Sequence, residues 1–134
     1  MKLIVCVSNN SGMMFNQRRQ SRDKELIQKI LEIADGQLVI HPYSKTLFPD
    51  DVETKDNPLD SNDNQYAFIE DPSFIKDDMK FNEIIICKWN RDYPADQYFV
   101  YDMMPYDLIS IETIVGSSHD EIQIERYVLE QIKK

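Results

Sequence analysis

KLIVCVSNNSGMMFNQRRQSRDKELIQKILEIA, residues 2–34, carries a strand pattern and then a helix pattern. Lys2–Val7 is apolar almost without interruption, the pattern of a strand buried on both faces. Over Arg22–Ala34 the period changes to that of a helix. Leu26, Ile30 and Ile33 share one stripe, with Ile27 and Leu31 beside it. Ser21 is placed to cap that helix at its start and Gly36 to stop it. Between strand and helix, Met13, Met14 and Phe15 form an apolar patch with two readings, a lid over a pocket or a loop anchored in the core. Working outward, Gln37–His41, Tyr66–Ile69, Ile84–Cys87 and Gln97–Tyr101 read as further strands, and Leu108–Ile114 alternates like a strand with one wet face. Residues 120–132 admit both periods: Ser118 with Glu121 resembles a helix capping box, while Ile122, Ile124 and Val128 nearly alternate. A strand, a helix and several more strands make an α/β pattern built on a central sheet.

The 134 residues suit a single domain, 1–134, able to bury a core without disulfides or metals. Gly12, Gly36 and Gly116 are the three glycines and stand far apart, which excludes a dinucleotide fingerprint or a P-loop. Two histidines, His41 and His119, cannot supply a multi-histidine centre, so no metal site is expected. Cys6 and Cys87 sit inside apolar runs and are expected as buried free thiols, which suits a reducing, cytoplasmic compartment. No apolar run is long enough to span a bilayer. A net charge of −9 argues against generic nucleic-acid binding, which phosphate neutralisation drives. That charge is uneven: +3 over residues 1–48, −8 over 49–78 and −4 over 79–134. Residues 49–64 lack apolar periodicity and read as a long, exposed acidic loop, with 50–63 a possible dock for a basic protein partner.

With these elements placed, the chain resembles the dihydrofolate reductase family. That family opens with an apolar strand, a loop of the form D-x-N-x-x-I-G, an acidic residue at the head of the first helix and a second strand. LIVCVSNNSGMMFN, then Arg22, Asp23 and the helix, follow the same order. YAFIEDPSFIKDDMKFNEIIICKWNRDYPADQYF is similar to the family's cofactor strand, following helix, sheet-centre strand and a loop ending in D-x-x-F, on which Asp96 and Phe99 fall. The resemblance implies a mixed central sheet with few flanking helices. It also implies a pterin-pocket, proton-relay role for Asp23, and pairing of the first strand with the one after the cofactor helix, so that Cys6 and Cys87 face the substrate side.

The departures bear on function. Where the family has glycines whose amides approach a pyrophosphate, this chain has Glu70, Asp71 and Pro72: two carboxylates and a residue with no amide donor. The family's basic G-R-x-T segment is replaced by HPYSKT, and its tryptophan ahead of the acid is absent. The expectation is a fold reduced on the cofactor side, with a remodelled pocket for a small polar or anionic ligand and no nicotinamide cofactor. The alternative is an NADPH-dependent reductase of a pterin-like heterocycle, so sequence leaves enzyme or binding protein open.

Arg18, Arg19 and Arg22 gather beside the expected helix start, where the dipole also favours negative charge; like charges there are unfavourable without an anion. These arginines, with Asp23, Phe15, Cys6 and Cys87, are the expected ligand-binding set, and Asp23 is a weak candidate for a catalytic group. His119, in GSSHDE, has an acid–base reading but reads first as an exposed loop histidine, and Ser117 and Ser118 lack the context of a serine nucleophile.

Overall fold

A computed structural model describes residues 1–130. In chain order the elements are β1 (Lys2–Val7), β2 (Gly12–Phe15), β3 (Arg18–Arg19), α1 (Lys24–Ala34), β4 (Leu38–Ile40), β5 (Glu53–Thr54), β6 (Tyr66–Phe68), β7 (Glu83–Lys88), β8 (Gln97–Tyr98), β9 (Tyr106–Ile114) and β10 (Ile122–Leu129). Short 3₁₀ turns occupy Pro42–Leu47 and Pro72–Phe74. Seven strands form the main sheet in the order β5-β4-β6-β1-β7-β10-β9. From β5 through β7 the neighbours are parallel, and the β9–β10 hairpin closes the far side antiparallel. The fold is α/β, with a mixed central sheet and few helices.

β1 lies at the sheet's centre because it is apolar on both faces, and alternation divides the core there. Leu3, Val5 and Val7 pack with Met13, Met14, Leu59, Phe81, Ile84, Ile86 and Tyr106 on one side. Ile4 and Cys6 face the other, with Ile85, Cys87, Ile124 and the helix residues Leu26, Ile27 and Ile30. Full burial of Leu26 and Ile30 contributes about 2 kcal/mol each. Cys6 is directly opposite Cys87 in the β1–β7 register, and both thiols are free. Hydrogen bonding to Cys87, then burial, pushes the Cys6 thiol well above its ordinary value.

Several expectations are corrected. Asp23, not Ser21, is the N-cap: its carboxylate accepts the amides of Glu25 and Leu26. The helix ends at Asp35, held in the left-handed region at φ 46°, with Gly36 following at φ 82°. Residues 122–129 are strand, because the alternating Ile122 and Ile124 cover the α1-side core; residues 131–132 of that expected element lie outside the described residues. The helix implied between residues 70 and 83 is only the turn Pro72–Phe74. Gln97–Tyr101 shortens to Gln97–Tyr98, which pairs with β2 in a separate three-stranded sheet. β9, the edge strand, is exposed on both faces over residues 107–113; one extra residue, Ile109, bulges opposite the Arg126/Tyr127 step. The acidic loop is not wholly exposed: Glu53–Thr54 adds to the sheet beside β4, and Leu59 is buried in the core.

Candidate functional site

Asp23 ends the β3–α1 connection, and its side chain is fully buried. Oδ1 accepts the amides of Glu25 (3.0 Å), Leu26 (3.3 Å) and Ser117 (2.9 Å). Oδ2 accepts the Ser118 amide (2.8 Å) and lies 3.0 Å from His119 Nδ1. Burial on its own would raise the carboxyl's pKa. The amides of Ser118 and Ser117, the His119 ring and the Leu26 amide outweigh it, and Asp23 is held well below the usual carboxylate range. Gly116 permits this close wrapping, since a Cβ there would stand 2.4 Å from Asp23 Oδ2 and 2.8 Å from the His119 carbonyl.

His119 is buried, not exposed, a correction to the sequence reading. Its ring stacks on Trp89 at 4.7 Å between centroids. An ionised carboxylate only accepts, so the bond to Asp23 carries the Nδ1 proton, and in the neutral imidazole Nε2 is the acceptor. Nε2 faces two hydroxyls, Ser21 Oγ at 3.1 Å and Tyr93 OH at 2.9 Å, while the Tyr93 hydroxyl donates to Ser21 Oγ at 3.3 Å.

The arginine segment is not the first turn of the helix. Asn16 (φ 52°) and Gln17 (φ 60°) make a tight two-residue turn between β2 and β3, so Arg18 and Arg19 are strand residues of a hairpin. Met13 and Met14 are buried beneath it, whereas Phe15 is exposed. Arg19 crosses to the end of β6. Its Nε and Nη2 donate to the two oxygens of Glu70 at 2.8 and 3.0 Å, and Nη2 also donates to the Tyr43 carbonyl at 3.0 Å. Its guanidinium lies 4.5 Å from the Tyr43 ring centre, and the Ser44 hydroxyl donates to Glu70 at 2.7 Å. The like-charge cost expected of this segment is therefore offset at Arg19 by Glu70. The α1 amides are satisfied from within as well: Lys24 N–H by Ser117 Oγ, those of Glu25 and Leu26 by Asp23. Arg18 and Arg22 are exposed.

Three clefts flank these residues. Phe15, Arg18 and Arg19 line an open one of 620 Å³ together with Gln20 and Tyr93. Arg22 and Asp23 line another of 560 Å³ with Ser117 and Ser118. The third, of 280 Å³, opens at the carboxyl ends of β4 and β6, where open parallel sheets place ligands. Met14, His41, Tyr43, Ile69, Glu70, Asp71, Phe74 and Gln97 are among its walls. The expected set is thus divided: Phe15, Arg18 and Arg19 share one cleft, Arg22 and Asp23 a second, and Cys6 and Cys87 lie in the core layer beneath α1.

No protein-family model and no curated protein sequence matches this chain.

Among the described residues, no group of three or more His, Cys, Asp or Glu side chains is placed to hold a metal ion. No helix there is long and apolar enough to cross a membrane. Sequence reasoning missed His119 as the side-chain partner of Asp23, Ser21 and Tyr93 as the partners of His119, and Glu70 as the partner of Arg19. The Asp23–His119 contact spans 96 residues, and no local spacing signals it.

Proposed function

We propose that this protein has a dihydrofolate reductase-like fold and binds a small polar ligand in the crevice at the carboxyl ends of β4 and β6, without nicotinamide-dependent reduction. Support for the fold comes from β1, which pairs with β7 as the resemblance implies, and from Asp23 at the head of α1. One observation carries the functional reading. At the position where the family offers free amides to a pyrophosphate, Asp71 accepts the Ser73 amide itself at 2.9 Å, and Glu70 is committed to Arg19 and Ser44. The crevice therefore presents carboxylates beside apolar walls from Met14, Ile69 and Phe74. Such a surface suits a neutral or cationic molecule rich in hydrogen-bond donors, and it narrows the expected ligand from polar or anionic to polar.

Calorimetric titration with NADPH tests the cofactor half, because Trp89 is buried against His119 and is a poor fluorescence reporter of this crevice. No saturable heat is expected at millimolar NADPH; low-micromolar binding would overturn that half and favour a reductase. A thermal-shift panel of small donor-rich heterocycles tests the other half. Hits should lose their shift in Phe74→Ala, and hits indifferent to that variant refute the crevice.

A further inference from the structure

Asp23 and His119 make contacts that binding in the β4–β6 crevice does not use. Asp23 accepts the Nδ1 proton of a buried imidazole at 3.0 Å, and Trp89 fixes the ring plane by stacking. The other ring nitrogen lies 3.1 Å from Ser21 Oγ. A hydroxyl, an imidazole and a buried carboxylate in this order, each within hydrogen-bond reach of the next, are the parts of an acyl-transfer nucleophile, which is recognised by geometry and not by position in the chain. The Tyr93 hydroxyl, 2.9 Å from Nε2 and 3.3 Å from Ser21 Oγ, has one proton to give; when that proton turns to Ser21 Oγ, the serine's own proton is free to point at Nε2. Ser21 is half-buried, and Tyr93 and the neighbouring Gln20 line the open cleft that also carries Arg18.

We propose that Ser21 is the nucleophile of an ester-cleaving centre at the edge of the Arg18 cleft, with His119 as its base and Asp23 as the positioning residue. The substrate class is a carboxylic ester. Ser21 Oγ bonds to the carbonyl carbon, its proton passes to His119 Nε2, and the alcohol leaves with that proton as the C–O bond breaks. Water, deprotonated by the same nitrogen, then cleaves the acyl-serine bond, returning the hydroxyl and releasing the acid. Every group needed is a side chain of this protein or water, so no further co-reactant is required.

Diisopropyl fluorophosphate probes the centre directly, because Oγ–P bond formation expels fluoride and leaves a stable mass on the reacting residue. Peptide mass mapping of the intact chain is expected to find one adduct, on Ser21, formed at least about ten-fold faster than on the exposed Ser11 and Ser73 of the same molecule. Ser21→Ala should remove the adduct while the urea midpoint stays within the range of an ordinary surface change. His119→Gln should slow labelling to the rate of the control serines; should that variant not fold, the wild-type rate must instead rise with pH as one base loses its proton. Labelling of Ser21 no faster than of Ser11 and Ser73, a rate indifferent to pH, or an adduct on Tyr93 in place of Ser21 overturns the proposal. Those results would make the three residues a structural knot that ties the β9–β10 loop to the start of α1.

Discussion

Replacing Asp23 by alanine should destabilise the protein far more than the loss of a helix cap. The cap alone is worth about 1 kcal/mol. The same carboxylate also satisfies the Ser117 and Ser118 amides and His119 Nδ1. Ser117 and Ser118 are exposed, so water replaces their partner at small cost. His119 is buried, and a buried donor left unpaired costs about 1–3 kcal/mol. Together the loss comes to about 2–4 kcal/mol, a large part of the 5–15 typical of a domain. Asp23→Asn separates the two contributions. Asparagine caps well, but its amide group sets N–H donors against the Ser118 amide and His119, so about half the loss should remain. Urea unfolding at pH 7, with an unchanged m-value, measures all three proteins.

Acid supplies an independent check on the same residue. The folded pKa of Asp23 is depressed, so its stabilisation is present in full above the unfolded value and is lost as pH falls toward the folded one. The gap between wild type and Asp23→Ala should therefore narrow steadily below about pH 5. A loss no greater than that of an ordinary cap, together with parallel acid limbs in the two proteins, would falsify the account of Asp23 as the anchor of the β9–β10 loop.

The fold was legible wherever one segment decides its own environment. Lys2–Val7 and Glu83–Lys88 are apolar on both faces, so only central strands suit them. The apolar stripe of Arg22–Ala34 has one side to bury and becomes α1. Legibility failed where a neighbour decides. Ser21 and Asp23 both suit an N-cap, and the choice falls to Asp23 because the Ser117–His119 loop, nearly a hundred residues on, supplies further donors to it. Leu108–Ile114 alternates as a half-buried strand would, yet Leu108, Ile109 and Ile111 are all exposed at the sheet edge, and alternation cannot report that.

The site was legible in its residue types and not in its pairings. Three arginines in six residues draw attention to Arg18–Asp23, but the partner of Arg19 comes from the end of β6. Sequence shows Glu70 only as a group that would repel phosphate, whereas in the fold it pairs with Arg19. His119 looked exposed because GSSHDE is polar, and its burial depends on Trp89 and Asp23, each supplied by a different element.

Further outcomes test these pairings. Under denaturing, non-reducing conditions, mass spectrometry should find two alkylatable thiols, while Cys6 in the folded protein should react slowly because its pKa is raised; a disulfide contradicts the free-thiol pair. Gly116→Ala should lower the melting temperature by several degrees, since the added methyl meets the Asp23 carboxylate and His119 backbone, neither of which is a flexible side-chain end; a neutral result means that the loop is not wrapped on Asp23. Arg19→Ala should cost about 2 kcal/mol, between the values for exposed and fully buried pairs, because Glu70 is nearly buried while Arg19 is partly wet. Arg18→Ala and Arg22→Ala, with exposed side chains, should stay within about 0.5 kcal/mol of wild type. Glu70→Gln in the Arg19→Ala background should recover part of the loss, because the uncompensated charge is then gone. A double-mutant coupling of at least about 1 kcal/mol is therefore expected. Coupling near zero, or an Arg19→Ala protein that melts higher than wild type, would mean that repulsion among the three arginines outweighs the Glu70 contact, and the segment would again be a candidate site for an external anion.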